Sequence, residues 1–268
     1  VFDGRADDAL AGQFVEAPGI AYLRADPRES RDIIEFASGL LFPSEAARRS
    51  ARETDLARLP HAVLRLPVPS GRGAPEPLAA KPVLVVPGAM PGDERLDRIV
   101  EAFALVLPDW RGRLLFLGSA DPASRRRLMD SGRRLGVERE VSWTDRVPHD
   151  EYRGRLAAAW CAVCLGARWS SGGDRPLLDA LAAGIPVVSD RADAAELAED
   201  GVVALAGPAP VGELAAALRG LLEPAARSAR AAEARRYAAT WNASAFADAL
   251  VASLEDLAAP ARPFVAAP

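Results

Sequence analysis

The sequence predicts an α/β protein built on a doubly wound parallel sheet and preceded by part of a second α/β domain. From residue 80 onward, short apolar runs rich in β-branched residues alternate with longer amphipathic segments, as in repeated strand–helix units. Residues 176–190 have the pattern of a helix, a Gly-x-Pro turn and a buried strand. The 268 residues suffice for one large domain, or for one domain and part of another.

The doubly wound domain is predicted to alternate strands and helices up to residue 257. Strands are expected at 82–86, 113–117, 141–143, 162–165, the end of 176–190, and 202–205. Helices are expected at 96–106, 122–136, 150–158, the start of 176–190, 211–222, 225–239 and 243–257. The first of these helices carries an apolar stripe at three- and four-residue spacing, made of Leu96, Ile99, Val100, Phe103 and Val106.

Before residue 78 the pattern changes, and we expect the last part of another α/β domain. Its strands are predicted at 19–23, 39–42 and 62–66, and its helices at 30–37 and 44–53. Ser44 is the expected N-cap of the last of these. The stretch 67–77 holds four prolines and two glycines and is the expected linker. The predicted division is therefore 1–77, 78–257 and an extended or disordered tail at 258–268.

Composition excludes several classes of protein. The net charge of −4 gives no general attraction to nucleic acid, and no apolar run approaches the roughly 20 residues of a membrane helix. No signal peptide is visible, so we expect a cytoplasmic protein, with peripheral attachment to a membrane left open. Cys161 and Cys164 fall on a predicted strand, where residues three apart face opposite sides, so core positions are expected rather than a shared metal.

Ligand-binding residues are expected where the parallel strands end, because helix N-termini offer unpaired N–H groups to anions there. The loops in question follow Val86, Leu117, Leu165 and Val188. Five glycines in them permit close approach of the backbone to a phosphate, although each is equally explained as a turn residue. They are Gly88, Gly92, Gly118, Gly172 and Gly173.

The loop after Leu165 is the richest in polar groups. It supplies Arg168, Ser171, Asp174 and Arg175 just before a helix expected to start near Pro176, which suggests an anion cradle. Asp179 follows about one turn later and either accepts hydrogen bonds from sugar hydroxyls or is a solvent-facing acid that stabilises the helix dipole. The arginines of helix 122–136 form either a solvated face or a second anion-binding surface.

The order of motifs from residue 83 to 257 resembles the C-terminal, Rossmann-like donor-binding domain of GT-B glycosyltransferases of group 1, or family 4. The matching segments are Pro82-Val83-Leu84-Val85-Val86-Pro87-Gly88, Leu115-Phe116-Leu117-Gly118, Leu135-Gly136-Val137 through Val147-Pro148, and Leu177 through Val188. Residues 196–203 and 235–241 resemble two later motifs of the family. The resemblance covers about two-thirds of the chain, and the preceding residues resemble only the end of the family's N-terminal, acceptor-side domain.

This resemblance implies that the chain binds a UDP-, GDP- or ADP-sugar donor and that no metal or other cofactor is required. It also implies that cationic and backbone donors stabilise the leaving diphosphate, with Arg95 among the cations. A catalytic base, where the family uses one, comes from the N-terminal domain. Neither His61 nor His149 matches it, so both are expected to be ordinary histidines and the catalytic residues stay unassigned.

Several polar positions depart from the family pattern. Ser171 stands where the family has an acid, Asp179 replaces a glutamate, and Asp174 is a shifted substitute. The family has two cations after the first strand, an arginine and a lysine that bind donor phosphates. At about their positions this sequence has Ala89, and Glu94 or Arg95. Three hypotheses follow: a glycosyltransferase that uses this chain mainly for donor binding, a catalytically degenerate domain that serves as a scaffold for a protein partner, or another nucleotide-binding enzyme of similar architecture.

Overall fold

The computed structural model describes residues 2–3, 19–22, 37–51, 59–69, 82–88, 95–165, 175–191, 194, 197–198, 201–205 and 209–258. Of residues 2–3, 19–22, 50 and 95 it describes the backbone alone. Within this part of the chain, the residues up to Leu66 and those from Ser244 onward form one compact unit. The residues from Pro67 to Ala243 form the other. The predicted domain limits stay a prediction.

The larger unit is built on a sheet of six parallel strands. They are β5 (Val83–Pro87), β6 (Arg113–Leu117), β7 (Val141–Thr144), β8 (Cys161–Val163), β9 (Val187–Val188) and β10 (Val203–Ala204). Their spatial order is β10-β9-β8-β5-β6-β7, with β5 between β6 and β8. Counted from β5 this is the order 3-2-1-4-5-6 of doubly wound folds, whose ligands bind at the carboxyl ends of the central strands. The predicted fold class is confirmed.

Helices flank this sheet. They are α2 (Arg95–Trp110), α3 (Pro122–Arg134), α4 (His149–Ala157), α5 (Arg175–Ala182), α6 (Val211–Gly220) and α7 (Pro224–Thr240). The predicted apolar stripe of α2 is buried, and it packs with Phe116, Leu128 and Leu218 in one continuous core. Burial of these side chains against the sheet is the main stabilising contribution of the unit.

Both cysteines lie in this core, as predicted, and neither forms a disulfide. Burial raises the pKa of the Cys161 thiol to about 12, so the thiol stays protonated and unreactive at neutral pH. Among the residues that the structure describes, no three histidine, cysteine or carboxylate side chains are grouped so that they could hold a metal ion.

Helix α7 is joined to the amino ends of three strands by arginine side chains. Arg227 donates to the carbonyl oxygen of Trp160, just before β8, at 3.0 Å. Arg230 donates to Gly201, before β10, at 2.5 Å, and Arg235 donates to Gly184, before β9, at 3.3 Å. The buried side chains of α7 are alanines, which offer little apolar surface to fix the position of the helix. The charge-assisted hydrogen bonds of the three arginines therefore define how α7 packs against the strands.

The smaller unit has a four-stranded parallel sheet in the order β1-β2-β3-β4. The strands are β1 (Phe2–Asp3), β2 (Gly19–Tyr22), β3 (Ala37–Phe42) and β4 (His61–Val63). Helix α1 (Glu45–Ala51) begins after Ser44, whose side chain accepts a hydrogen bond from the Ala47 N–H, as the predicted N-cap requires. Helix α8 (Ala243–Ala258) places Leu257 close to Gly39 of β3.

Some predictions for these residues differ from the structure or lie outside its described part. Most of the predicted helix 30–37 lies outside the described residues, and Ala37 itself begins a strand. Of the predicted linker 67–77, the described residues are 67–69, where Val68 is buried and donates its N–H to the Trp241 carbonyl at 3.0 Å. The predicted tail lies outside the described residues except for Ala258, the last residue of α8.

In the part of the chain that the structure describes, every helix is too short or too polar to cross a membrane.

The arginine contacts of α7 give a first prediction. Replacing Arg235 by alanine removes the hydrogen bond to Gly184 and the packing of its side chain over that glycine. We expect a loss of about 1–2 kcal/mol in the free energy of unfolding, as for other charge-assisted hydrogen bonds. Urea denaturation followed by circular dichroism measures it. The control is Arg236→Ala, which removes an exposed pair with Glu233 and should cost under about 0.5 kcal/mol; equal losses would contradict the prediction.

Candidate functional site

Gly88 and Gly118 meet at the carboxyl edge of the larger sheet. The Gly88 N–H donates to the Leu117 carbonyl oxygen, and the Gly118 N–H donates to the Thr144 carbonyl oxygen, both at 2.9 Å. Both glycines have positive φ, +105° and +149°. A Cβ atom on Gly118 would overlap the carbonyl group of Gly88, so the two backbones approach as only glycine permits. The structure thus brings together two of the predicted site residues.

The start of helix α5 lies against Gly88. A Cβ atom on Gly88 would be 2.6 Å from Cγ of Pro176, the second residue of the helix. The helix begins at Arg175, one residue before the expected start, and the proline in its first turn needs no hydrogen-bond acceptor. The ends of β5 and β6 and the beginning of α5 therefore converge.

Asp179 is held within this region by Arg175. The Arg175 Nε donates to Oδ1 of Asp179 at 2.8 Å, and the Asp179 side chain is 10% exposed. Burial raises the pKa of the Asp179 carboxyl, and the positive charge and hydrogen bond of Arg175 partly oppose that rise. Asp179 is thus a largely buried carboxylate among cations and not a solvent-facing acid.

Two cavities share His149. The larger, about 260 Å³, lies over Gly88 and Gly118 and is bounded by loop 145–147 and by the first turn of α4. The smaller, about 50 Å³, lies between α4 and α5 and is bordered by Arg153, Arg175 and Asp179. The larger volume is close to the lower limit of small-molecule sites, about 300 Å³. Together they present cations, carboxylates and hydroxyls to one region.

The loop after β7 was missed in the sequence analysis, although it contributes much of the larger cavity. Asp145, Arg146 and Val147 of this loop border that cavity, and so do His149 and Tyr152 of α4. The predicted strand at 141–143 could have indicated this loop. A strand that is parallel to its neighbours ends at the same edge of the sheet as they do. His149, expected to be an ordinary histidine, begins α4 and borders both cavities.

Tyr152 is the second residue that the sequence analysis overlooked. Burial raises the pKa of its phenol above the usual value, and the negative charge of Asp179 raises it further. The hydroxyl therefore stays protonated at neutral pH, and its oxygen and proton are suited to hydrogen bonding with a polar ligand.

The remaining predicted site residues are only partly described. Arg95 is the first residue of α2, and its side chain lies outside the described part. Six others also lie outside it: Gly92, Arg168, Ser171, Gly172, Gly173 and Asp174. Their predicted roles stay predictions.

The geometry just described favours a polar, phosphorylated ligand. Arg146, Arg153 and Arg175 supply cations that suit phosphate oxygens, while Asp145 and Asp179 supply acceptors for hydroxyl groups. Comparison with a family defined by sequence decides the classification: the Glycosyl transferases group 1 pattern matches residues 81–224, more than half of the chain. The chain belongs to the group 1 glycosyltransferases. No curated protein matches its sequence.

Solved structures of glycosyltransferases share the fold of this group 1 chain. The Anabaena protein HepE, in complex with UDP and glucose, superposes with a TM-score of 0.73 at 17% identity, covering 92% of this chain and 74% of HepE. WaaG, a glycosyltransferase involved in lipopolysaccharide biosynthesis, gives 0.60 at 21% identity over 82% of this chain. Sucrose-phosphate synthase from Thermosynechococcus elongatus gives 0.66 at 20% identity over 85% of this chain.

The match covers less than two thirds of some of these proteins. It spans 63% of the WaaG chain and 60% of the sucrose-phosphate synthase chain. The identities are low, so these superpositions show the fold alone, and they confirm the predicted GT-B, Rossmann-like architecture.

The contact between the two glycines gives a second prediction. In Gly118→Ala, the alanine would have to keep a positive φ, and its Cβ atom would overlap the Gly88 carbonyl group. Because both effects destabilise the folded state, we expect the free energy of unfolding to fall by about 2–4 kcal/mol. Gly136→Ala is the matched control, because Gly136 also has positive φ but a Cβ atom added there would meet nothing within 4 Å. It should lose only about 1 kcal/mol. Urea denaturation compares them, and equal losses would show that the close approach contributes nothing.

Burial of Asp179 gives a prediction about pH. Its folded-state pKa is raised, so its ionisation lowers stability as pH rises from the unfolded-state pKa through the folded-state pKa. Asp179→Asn removes this titration. We therefore expect the variant to gain stability relative to the wild type as the pH rises above about 4, the unfolded-state pKa of aspartate. Urea midpoints measured at a series of pH values from that pKa upward test this, and a difference that shrinks with increasing pH would contradict it.

Proposed function

We propose that this chain binds a nucleotide-sugar donor at the carboxyl edge of its larger sheet and transfers the sugar to an acceptor. The observation that carries the proposal is the convergence of Gly88, Gly118 and the start of α5 beside a cavity, in a chain of the group 1 glycosyltransferases. That edge is where doubly wound folds bind nucleotides.

We propose that the donor is a UDP-sugar, with GDP- and ADP-sugars as the alternatives. Support comes from HepE, of which structures in complex with UDP and with UDP-glucose superpose on this chain with TM-scores of 0.72 and 0.71. The UDP-forming trehalose-phosphate synthase from Burkholderia xenovorans also shares the fold, with a TM-score of 0.69. The sugar and the acceptor are not specified by these likenesses.

In the proposed complex the phosphates lie over the two glycines and near the start of α5. The absent Cβ atoms let phosphate oxygens approach the backbone, and the N-terminus of α5 and Arg175 favour their negative charge. Arg95 and the loop with Arg168 are the further cations that we propose for this task. Gly172, Gly173, Ser171 and Asp174 would complete the cradle.

Asp179 is proposed to accept hydrogen bonds from donor hydroxyls. Its carboxylate lies at the edge of the smaller cavity, and the bond to Arg175 uses only one of its acceptor positions in the described contacts. Fixed guanidinium and backbone groups would stabilise the leaving diphosphate as the bond from the sugar to its phosphate oxygen breaks. On this proposal the chain needs no metal ion.

The acceptor side of the reaction is also a proposal. The smaller unit holds a four-stranded parallel sheet, and we propose that it belongs to the domain that binds the acceptor. A catalytic base, if the reaction uses one, would come from that domain.

Isothermal titration calorimetry with UDP-glucose, GDP-mannose and ADP-glucose tests donor binding. We expect heat of binding with one of them, and at least tenfold weaker binding in Asp179→Ala, about 1.4 kcal/mol. The matched control is Asp130→Ala, which removes an exposed aspartate paired with Arg133 on α3, away from the cavities. Its affinity should equal that of the wild type.

The outcomes separate the hypotheses. The absence of heat with every nucleotide and nucleotide sugar would reject donor binding by this chain and would favour the scaffold hypothesis. Equal weakening by Asp179→Ala and Asp130→Ala would retain donor binding but reject the proposed role of Asp179.

A further inference from the structure

We infer that Trp143 is a positioning residue of the donor site, because its indole N–H fixes the Gly118 turn that forms the floor of the larger cavity. The inference rests on the proposed function. Trp143 lies in β7, one residue before the strand ends, and is itself not among the residues that border the cavity.

The indole ring is held in place by the strand beside it. Trp143 stacks on Phe116 of β6 with a centroid separation of 5.0 Å and an interplanar angle of 10°. Phe116 is fully buried, so it cannot turn without disturbing the core. The indole Nε1–H then donates to the carbonyl oxygen of Gly118 at 2.9 Å. A rigid donor thus binds the residue whose backbone approaches the Gly88 carbonyl group.

Both polar groups of the Gly118 backbone are bound to the same strand. Its N–H donates to Thr144, and its carbonyl oxygen accepts from Trp143. A glycine turn has little conformational preference of its own, so external hydrogen bonds must select its orientation. Without the indole donor the Gly118 carbonyl would be free to rotate, and the following residue, Ser119, which borders the cavity, would move with it.

This rotation would matter most for an anionic ligand. A carbonyl oxygen carries partial negative charge, so turning it toward the cavity would repel a diphosphate placed over the two glycines. The indole N–H keeps that oxygen engaged. Trp143 therefore acts on the ligand through the backbone and not by direct contact.

A second connection runs from Trp143 to the wall of the cavity. The guanidinium carbon of Arg125 lies 5.8 Å from the centroid of the indole ring, and its Nη1 is 3.1 Å from Oδ2 of Asp145. Asp145 borders the cavity. The same ring thus supports the floor through Gly118 and the wall through Arg125.

Trp160 provides a matched control within the same unit. Its indole Nε1–H donates to the Leu221 carbonyl oxygen at 2.8 Å, and the Arg227 guanidinium carbon lies 4.5 Å from its ring centroid. It immediately precedes β8, at the amino end of the sheet. The two tryptophans therefore make the same kinds of contact, but only Trp143 supports the cavity.

The experiment compares Trp143→Phe with Trp160→Phe in the full chain. Each substitution keeps an aromatic ring and removes one indole N–H donor. We expect similar decreases in the urea midpoint, a dissociation constant for UDP at least fivefold higher in Trp143→Phe, and a value within twofold of the wild type in Trp160→Phe. Calorimetry with UDP measures these constants. Amide hydrogen exchange should also increase around residues 118–120 in Trp143→Phe alone.

If Trp143→Phe does not fold, benzothienylalanine at position 143 replaces it, since this residue keeps the shape of tryptophan and lacks the N–H. Wild-type affinity for UDP in the variant used would overturn the inference while leaving the proposed function intact. Equal weakening by both substitutions would also overturn it, because loss of stability would then explain the effect. A wild type that binds neither UDP nor any nucleotide sugar would remove the proposed function and this inference together.

Discussion

The close approach of Gly118 to the carbonyl group of Gly88 is the constraint on which the site depends. It sets the separation of the ends of β5 and β6, and Pro176 contacts Gly88 from the start of α5. Side chains at these glycines would separate the three elements and close the space above them. The hydrogen bond from the Gly118 N–H to Thr144 extends the same constraint to β7. Four elements therefore share one small region of backbone, and the larger cavity lies over it.

Arginine serves two purposes at opposite ends of the sheet. At the amino ends, Arg227, Arg230 and Arg235 of α7 donate to backbone carbonyl groups and hold the helix against the strands. At the carboxyl ends, arginines pair with carboxylates beside the cavities: Arg175 with Asp179 and Arg125 with Asp145. The first group stabilises the fold, because carbonyl groups at turns would otherwise lose their partners. The second group places charged side chains beside the cavities, where the proposed ligand would bind.

Asp179 combines a cost in stability with the ligand-binding role that we propose for it. Its carboxyl lies largely out of water, which costs stability when it ionises, and Arg175 offsets only part of that cost. A fold selected for stability alone would have a neutral residue there. In the proposed complex the same carboxylate, bonded to Arg175 on one side and bordering the smaller cavity on the other, would contact the ligand.

The sequence by itself determined the fold class and the order of the elements. Leu96, Ile99, Val100, Phe103 and Val106 predicted one face of α2, because helical periodicity records which side chains are buried. The two-residue strand β1 escaped prediction, since two residues have no measurable period. The positions of Gly88 and Gly118 directly after two strands were also predicted, because the loops that end parallel strands follow from the order of the strands along the chain.

Only the tertiary structure decided which of these loops meet. Gly118 contacts Gly88, and Trp143 donates a hydrogen bond to Gly118, so residues at least 25 positions apart in the sequence meet. His149 borders two cavities that are lined by several different elements. Periodicity reports on the environment of a segment and carries no information about its distant neighbours. Those contacts depend on the twist and spacing of the strands, which arise when the whole sheet packs against its helices.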